Sequence, residues 1–511
     1  MTIAKPGRAG LRAALLIGAA LGAVGCTLGP DYERPKLDAQ LGERFHGSPD
    51  GVSSGARDAG SEPGPAKADD AALARWWTSF NDAGLNALVD EALSGNLRLL
   101  EARARILEAR ALRGVAKGGL FPALSGSADV THQELGDKAI EARTQGFGGG
   151  FRAPAQVDFE TWQAGVGASW ELDLFGRVRR LVEAAEREEE ALVEAARAIR
   201  VSLLAELAAA WFEVRALERR IAVTRDSLAL QTAALELVRD QARAGLISEL
   251  EPARAESLLA ATRAGLPQLA SARRRTLLRI DRLAGRRPDP RRAALADSAL
   301  DRPLPGPPDP GPPGLPADLL RRRPDLRRAE AQLAAETARI GARQAERLPR
   351  LSLTGSFAFS AADAKTLGDF GARTWSVGPT LVVPIFEGGR LAARVDQAEA
   401  RAGAAELALR QAVLVAVEET EGALARLQRG RERVRALTDA ASAARRAERL
   451  ADDLFEAGST SFLAVIDARR ERNRLENDLI TARQAVLAAT VQLYRALGGG
   501  WQVEPTPAEP S

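Results

Sequence analysis

Two stretches of this sequence are too long and too free of helix breakers to belong to a compact globular core. Residues 177–244 and 390–457 contain no proline, and each could form about 100 Å of helix at 1.5 Å per residue. Apolar side chains step through the first stretch by threes and fours, as they do in coiled coils. Helical patterns at about 250–284 and 462–497 follow the two stretches. The sequence therefore predicts two long antiparallel helix pairs.

Four other segments alternate apolar and polar residues, the pattern of strands with one apolar face. They lie at about 124–131, 162–172, 351–360 and 375–385, and their polar faces carry mostly small side chains. A tilted strand needs about 10 residues to cross a bilayer, and the segments suit that length. Four strands cannot close a membrane barrel, since the smallest barrels have about eight. Either two or three chains share one barrel, or the segments are soluble, half-buried hairpins.

The second half of the chain repeats the first. Segment 120–125 has a counterpart in 347–352, and Phe175 has one in Phe386. Each half reads as a short helix, a second helix, two strands, a long helix and a return helix. A duplication of this size dictates the architecture.

The repeat divides the chain into predicted domains, and its two halves are separated by a stiff, proline-rich connector. The predicted domains are a lipoprotein signal peptide at 1–25, a lipidated extended segment at 26–75, a first repeat at 76–285, the connector at 286–318, a second repeat at 319–500 and a tail at 501–511.

The amino terminus has the features of a lipoprotein signal. Basic residues precede an apolar run from Ala13 to Val24, which is too short to span a bilayer as a helix. The run leads to Cys26, the only cysteine of the chain. We expect Cys26 to become the first mature residue and to carry lipid, each buried CH₂ contributing about 0.8 kcal/mol to membrane binding. Ala23 stands where such signals usually have leucine, so an ordinary secretory signal is the alternative.

Composition excludes several classes of function. The 71 basic and 68 acidic residues nearly balance, which gives no support for nucleic-acid binding. One cysteine excludes a thiolate metal cluster within one chain, and two histidines far apart in sequence argue against a His-based metal site. Methionine only at position 1 leaves the mature protein no thioether ligand for copper(I). The sequence contains no nucleophile motif and no phosphate-binding loop. We therefore predict a protein that is not an enzyme, with no cofactor beyond the covalent lipid on Cys26.

Several motifs together resemble the TolC-like outer membrane factors, specifically the NodT-type lipoprotein branch that serves resistance-nodulation-division (RND) efflux pumps. The resemblance covers essentially the whole mature chain. It rests on five stretches, which run from Cys26 to Pro35, Trp76 to Asp82, Arg323 to Arg327, Phe455 to Arg469 and Tyr494 to Trp501.

The resemblance implies a mixed α and β membrane protein that assembles as a homotrimer. Its twelve strands would form one β-barrel in the cell outer membrane, continued by a long α-helical coiled-coil barrel that extends into the periplasm. The expected partners are a periplasmic adaptor (membrane fusion) protein, an inner membrane RND pump and the lipid bilayer, with no nucleic acid. The expected function is a passive exit duct for small molecules such as drugs and toxic compounds, driven by the pump.

The resemblance also implies a periplasmic gate where the long helices turn back, at Gly245 and Gly458. Asp467 occupies the position of the family's constricting aspartate. Three copies around an axis would attract cations and resist anions. Many relatives carry a second acidic residue three positions earlier, where this chain has Ala464.

Two arginines are candidate latches for this gate. Arg254 is the counterpart of Asp467 in the first repeat, and Arg470 lies one turn beyond Asp467. Either could hold the gate closed by pairing with Asp467. For all three residues the alternative is an ordinary solvated charge on a helix surface.

Two other functions stay open at the level of sequence. The same kind of duct could serve a type I protein secretion system, although the lipidated start and the Trp76-Trp77 motif favour efflux. A structural periplasmic coiled-coil lipoprotein is the alternative from another class. The four alternating segments argue against it, because such a protein has no use for hairpins long enough to cross a bilayer.

Overall fold

The computed structural model describes residues 27–35, 45, 73–136, 156–288, 303–309 and 316–502. The predicted signal peptide and Cys26 lie outside these ranges, as do parts of the connector and of the tail. The helices are α1 (Ala83–Gly95), α2 (Leu97–Gly118), α3 (Arg177–Arg243), α4 (Leu250–Leu283), α5 (Leu319–Arg322), α6 (Pro324–Ala345), α7 (Arg390–Glu456) and α8 (Phe462–Ala496). The strands are β1 (Ala123–Gly136), β2 (Gln156–Leu172), β3 (Arg350–Ala361) and β4 (Arg373–Val382).

The two halves contain their helices and strands in the same order. The matching helices agree in length except the first of each half, which has 13 residues in α1 and four in α5. Helices α2 and α6 both contain 22 residues, and α3 and α7 both contain 67. The return helices α4 and α8 contain 34 and 35 residues. In each half a pair of strands stands between the 22-residue and the 67-residue helix. The predicted internal duplication is confirmed.

The chain divides into two compact units. The first contains Met1–Arg34, Leu107–Glu190 and Ala331–Leu407, and the second contains Pro35–Ile106, Ala191–Glu330 and Ala408–Ser511. All four strands belong to the first unit, and the turns at Gly245 and Gly458 belong to the second.

The four strands form one antiparallel sheet in the order β1-β2-β3-β4. The register aligns residues of like character in rows across the sheet. One row consists of Gly126, Val166, Phe357 and Trp375. The next row consists of Ser125, Gly167, Ser356 and Ser376. Neighbouring rows point to opposite faces, so one face of the sheet is apolar and the other carries small and polar residues, as the alternation predicts.

The apolar face of the sheet is exposed in the single chain. The exposed fraction is 51% for Val166, 41% for Phe357 and 70% for Trp375. Within the described residues, β1 and β4 each pair with a strand on one side only. Exposed apolar surface of this kind marks contact with lipid or with another protein, and an unpaired edge can accept a further strand.

The second unit has an aromatic core that explains two of the sequence motifs. Trp76 stacks on Tyr494 with the ring centroids 5.2 Å apart, and it meets Phe80 edge-on. Trp501 lies beneath the guanidinium groups of Arg197 and Arg327, at 4.7 and 5.1 Å from the ring centroid. The motifs at 76–82 and 494–501 are therefore largely packing motifs.

None of the described helices has both the length and the apolar character needed to cross a bilayer.

Candidate functional site at the helix turns

Both long helices end in the same kind of turn. Gly245 follows α3 and Gly458 follows α7, each with a φ of 72°, a backbone conformation that favours glycine. Each glycine N–H donates to the carbonyl three residues earlier at 2.9 Å. The next residue, Leu246 or Ser459, donates to the carbonyl five residues earlier. This pair of bonds is the Schellman motif, which ends a helix abruptly and lets the chain reverse.

One apolar core lies next to both turns and holds the beginnings of α4 and α8. The buried members of this core are Leu235, Val238, Ala255, Leu258, Leu259, Phe462, Val465 and Ile466. The ring of Phe462 lies 5.3 Å from that of Phe455, centroid to centroid. Both repeats contribute to this core, so a movement of either turn would disturb packing that the two turns share.

The predicted gate residue Asp467 lies on the opposite face of α8 from this core. Val465 and Ile466 are buried, whereas Leu463, Asp467 and Arg470 are exposed. The exposed residues are spaced by four and three, so they form one row along the helix surface. The charge of Asp467 is therefore presented outward from this chain.

Neither predicted latch pairs with Asp467 within the described part of the chain. Arg254 of α4 donates instead to Glu251 at 3.1 Å, one turn away on the same helix. Arg470 is exposed on the same row as Asp467. A latch between Asp467 and either arginine needs a second subunit or a change of rotamer, and it stays a prediction.

A charged cluster that the sequence analysis missed joins α7 to α8. An Arg472 nitrogen lies 3.2 Å from Glu448, and an Arg469 nitrogen lies 3.0 Å from Asp452. The exposed side-chain fractions are only 10% for Glu448, 14% for Arg472 and 15% for Arg469. Burial raises the pKa of Glu448; the two arginines oppose this rise, whereas Asp452 and Glu476 add to it.

Arg472 also connects α8 to α3. Its guanidinium donates to the hydroxyl of Ser227 at 3.0 Å, and Ser227 donates to the side-chain oxygen of Asn473. Helix α8 is thus held by polar contacts on two sides. The sequence does carry a signal for this contact, because Asn473 stands seven residues from both Ile466 and Ile480, in an otherwise apolar heptad row.

The helix ends at the two turns combine fixed charges with a rigid backbone. No group of three or more His, Cys, Asp or Glu residues in the described ranges could hold a metal ion. Two fixed turns, an outward-facing Asp467 and a buried ionic cluster together make a charged, stiff helix end. Such an end can restrict or attract a passing solute.

Known proteins resemble this chain over most of its length. The sequence profile of the outer membrane efflux protein family matches residues 88–286 and 315–499. This chain belongs to that family. The predicted relationship to the TolC-like outer membrane factors is confirmed, and the chain is a component of the outer membrane.

The relatives of this outer membrane efflux protein match over nearly their full length. Outer membrane protein OprJ of Pseudomonas aeruginosa is 33% identical over 498 residues, covering 96% of this chain and 95% of OprJ. Toluene efflux pump outer membrane protein TtgI of Pseudomonas putida is 31% identical over 484 residues, covering 94% of this chain and 96% of TtgI. A solved structure of the outer-membrane channel OprN is 34% identical, with a TM-score of 0.79 over 94% of this chain and 100% of OprN. The chain has the fold of an outer membrane efflux channel.

Proposed function

We propose that this chain is the outer membrane exit duct of a tripartite efflux system, through which an inner membrane pump expels small molecules. The observation that carries the proposal is the near full-length similarity to outer membrane components of efflux pumps, combined with the fold of a channel. A duct needs no chemistry of its own, because the pump supplies the energy. An adaptor protein in the periplasm would join the two.

The proposed duct is a homotrimer. The described residues of one chain supply four strands, whose two edges have no partner strand within those residues, and the smallest membrane barrels have about eight strands. Three copies would bring twelve strands into one barrel and cover every edge. The exposed row of Val166, Phe357 and Trp375 would then face lipid, and the serine row would face a wet lumen.

The test of the duct is conductance of the purified protein in planar lipid bilayers. We expect discrete channel openings, and a trimer band on gels that dissociates only on heating. Deletion of the gene should raise susceptibility to small toxic compounds. Loss of a secreted protein, with unchanged susceptibility, would instead favour the type I secretion alternative.

Cys26 is the proposed lipid anchor, supported by its position after a short apolar run and by its being the only cysteine. Mass spectrometry of the mature amino-terminal peptide should find acyl chains on Cys26. Substitution Cys26→Ser should remove them. An unmodified amino terminus created by cleavage at another residue would contradict the anchor.

Asp467 is the proposed gate residue, supported by its place on the exposed face of α8 beside the turn. The substitution Asp467→Ala should make the closed duct leaky, because three smaller, uncharged side chains leave a wider constriction that no longer resists anions. The matched control is Asp478→Ala, which removes an acid from the same helix three turns further from the turn. Equal conductance of Asp467→Ala, Asp478→Ala and the unmodified protein would contradict the gate. Arg254→Ala and Arg470→Ala test the latches in the same assay.

A further inference from the structure

The residues that follow Cys26 form a strap across the first unit, which we define as residues 27–34. The N–H of Leu28 donates to the carbonyl of Phe175 at 3.2 Å. The carbonyl of Leu28 accepts from Nε of Arg180 at 3.0 Å, and that of Gly29 accepts from an Nη of Arg180 at 3.2 Å. Backbone groups of the strap are thus bonded as they would be in a bound peptide.

Arg180 is the centre of this contact. It lies in the first turn of α3, only 3% of the residue is exposed, and it reaches Asp31 of the strap at 2.7 Å. A fourth contact goes to Glu183 on its own helix at 2.8 Å. Three of these four contacts are therefore to the strap, so a buried guanidinium depends on the strap for most of its hydrogen bonds. A buried charge that loses its partners is strongly disfavoured.

Three glycines allow the strap to come this close. A Cβ on Gly341 of α6 would lie 2.4 Å from the carbonyl oxygen of Leu28. A Cβ on Gly176, at the start of α3, would lie 2.7 Å from the side chain of Thr27. A Cβ on Gly29 of the strap would lie 2.3 Å from Cα of Gly341, and Gly29 has a φ of 93°. Any side chain at these positions would push the strap away.

We propose that Gly176, Arg180 and Gly341 form a receiving site for the mature amino terminus, with the strap as its peptide ligand. The site fixes the point at which the lipid anchor leaves the fold. Thr27 is bonded to Cys26, so a lipid on Cys26 starts one residue from the place where β2 passes into α3. An untethered strap would let the same lipid wander on a flexible linker. Only the statement about where the lipid anchor leaves the fold rests on the proposed lipidation of Cys26; the receiving site does not.

The strap also gives a physical reason for one of the sequence motifs. The stretch from Cys26 to Pro35 contains Gly29, where any side chain would clash with Gly341, and Asp31, which pairs with Arg180. The duct and its candidate gate use neither residue. The proposed role of Gly29 and Asp31 is to hold the amino terminus in the receiving site.

The experiment uses a spin label on the strap of the full, lipidated protein. Glu33→Cys places a thiol on an exposed strap residue, and lipidated Cys26 cannot react with the label. The electron paramagnetic resonance spectrum then reports the mobility of the strap. Two substitutions release it, Gly29→Ala in the strap and Arg180→Ala in the receiving site. Two matched controls leave it seated, Pro30→Ala in the strap and Arg187→Ala on the same helix as Arg180.

We expect a restricted label in the parent protein and in both controls, and a several-fold shorter correlation time in Gly29→Ala and Arg180→Ala. Gly29→Ala changes no residue of the helices or strands, so it keeps the test valid if Arg180→Ala fails to fold. A label that is equally mobile in the parent and in Gly29→Ala would overturn the proposal.

Failure of the lipid anchor gives a different result. Cleavage at a residue other than Cys26 is recognised from the mass of the mature amino-terminal peptide. A Cys26 that is retained without an acyl chain would itself take the label, giving two spins per chain instead of one. That result would overturn the lipid anchor of the proposed function and, with it, the statement about where the lipid leaves. The receiving site would still be decided by label mobility in a Cys26→Ser background.

Discussion

The two long helix pairs have the same backbone and different side chains at matched positions beside their turns. Helix pair α3–α4 turns at Gly245, and pair α7–α8 turns at Gly458, with the same φ and the same two closing hydrogen bonds. Counting from the two glycines therefore gives exact counterparts in the two repeats. At two matched positions, the contact between the long helix and the return helix differs in chemistry between the repeats. These differences show how each repeat stabilises its helix pair.

The first counterpart pair is an ion pair whose charges are reversed. In the first repeat Arg239 of α3 lies 2.6 Å from Glu256 of α4. At the same places in the second repeat, Asp452 of α7 lies 3.0 Å from Arg469 of α8. A long helix that paired with the return helix of the wrong repeat would bring like charges together. The reversal therefore favours pairing within a repeat during folding.

The second counterpart pair replaces an apolar contact with an ionic one. In the first repeat, Leu235 and Leu259 belong to the apolar core that the two repeats share. Their counterparts are Glu448 and Arg472, which form a buried ion pair at 3.2 Å. Apolar residues of similar volume often serve such a site equally well or better, because burying two charges carries a desolvation penalty. Since Arg472 also holds Ser227 of α3, the ionic version adds a contact that leucine cannot make.

The largest expected effect comes from breaking the ionic pair on one side only. Arg472→Leu leaves Glu448 buried with the more distant Arg469, and we expect the helix pair to lose about 3 kcal/mol of stability. Glu448→Leu leaves Arg472 with Ser227 and should cost less. The double substitution recreates the leucine pair of the first repeat and should recover most of the loss. The thermal midpoint of the helical circular dichroism signal measures all three.

The double substitution decides how deep the similarity of the repeats goes. Recovery means that the site accepts either chemistry and that the two repeats are interchangeable there. A double variant as unstable as Arg472→Leu would show instead that the contact with Ser227, absent from the first repeat, is what the second repeat needs.

A smaller difference is expected between the reversed ion pairs. Arg469→Ala removes a largely buried arginine from both Asp452 and Glu448, which should cost about 2 kcal/mol. Its counterpart Glu256→Ala removes one member of an exposed pair and should change the melting midpoint by no more than the measuring error. Equal losses of stability in Arg469→Ala and Glu256→Ala would show that the difference in exposure between the two ion pairs does not set their contribution.

The sequence predicts what is local and misses what is assembled from distant residues. The long helices, the four strands and their apolar face follow from periodicity, which depends only on neighbours along the chain. Glu448 and Arg472 look like solvated charges in the sequence, because only the helix turn brings them together. Arg180 carries no sequence signal, since its partners lie about 150 residues away in the strap. Only the family resemblance makes Asp467 a gate candidate, and the structure places it on an exposed face of α8.

Substitution of either turn glycine should cost the same stability, because the two turns have the same backbone conformation. Gly245→Ala and Gly458→Ala each force a side chain into left-handed backbone, at a cost of about 1 kcal/mol. A Cβ at either position meets no atom within 4 Å, so the cost is conformational in both repeats. Equal falls in the melting midpoint are expected. A larger fall for one of them, seen in the trimer but not in the monomer, would locate a subunit contact at that turn.

The smallest expected effect is a pH dependence that only the second repeat has at this site. Burial raises the pKa of Glu448 above its unfolded value, so the fold binds this proton more tightly than the unfolded chain does. The stability gained from protonation is fully present below the ordinary pKa of glutamate and is lost as the pH rises through the raised pKa. Glu448→Gln cannot titrate, and Leu235 cannot either. The melting midpoint of the parent minus that of Glu448→Gln should therefore fall as the pH rises through this window.

Glu471 is the opposite control. Its hydrogen bond to Arg474 lowers its pKa, so the stability that its charged form contributes is lost as the pH falls. A difference for Glu448→Gln with the same sign as that for Glu471→Gln would show that the ion pair with Arg472, rather than burial, governs Glu448.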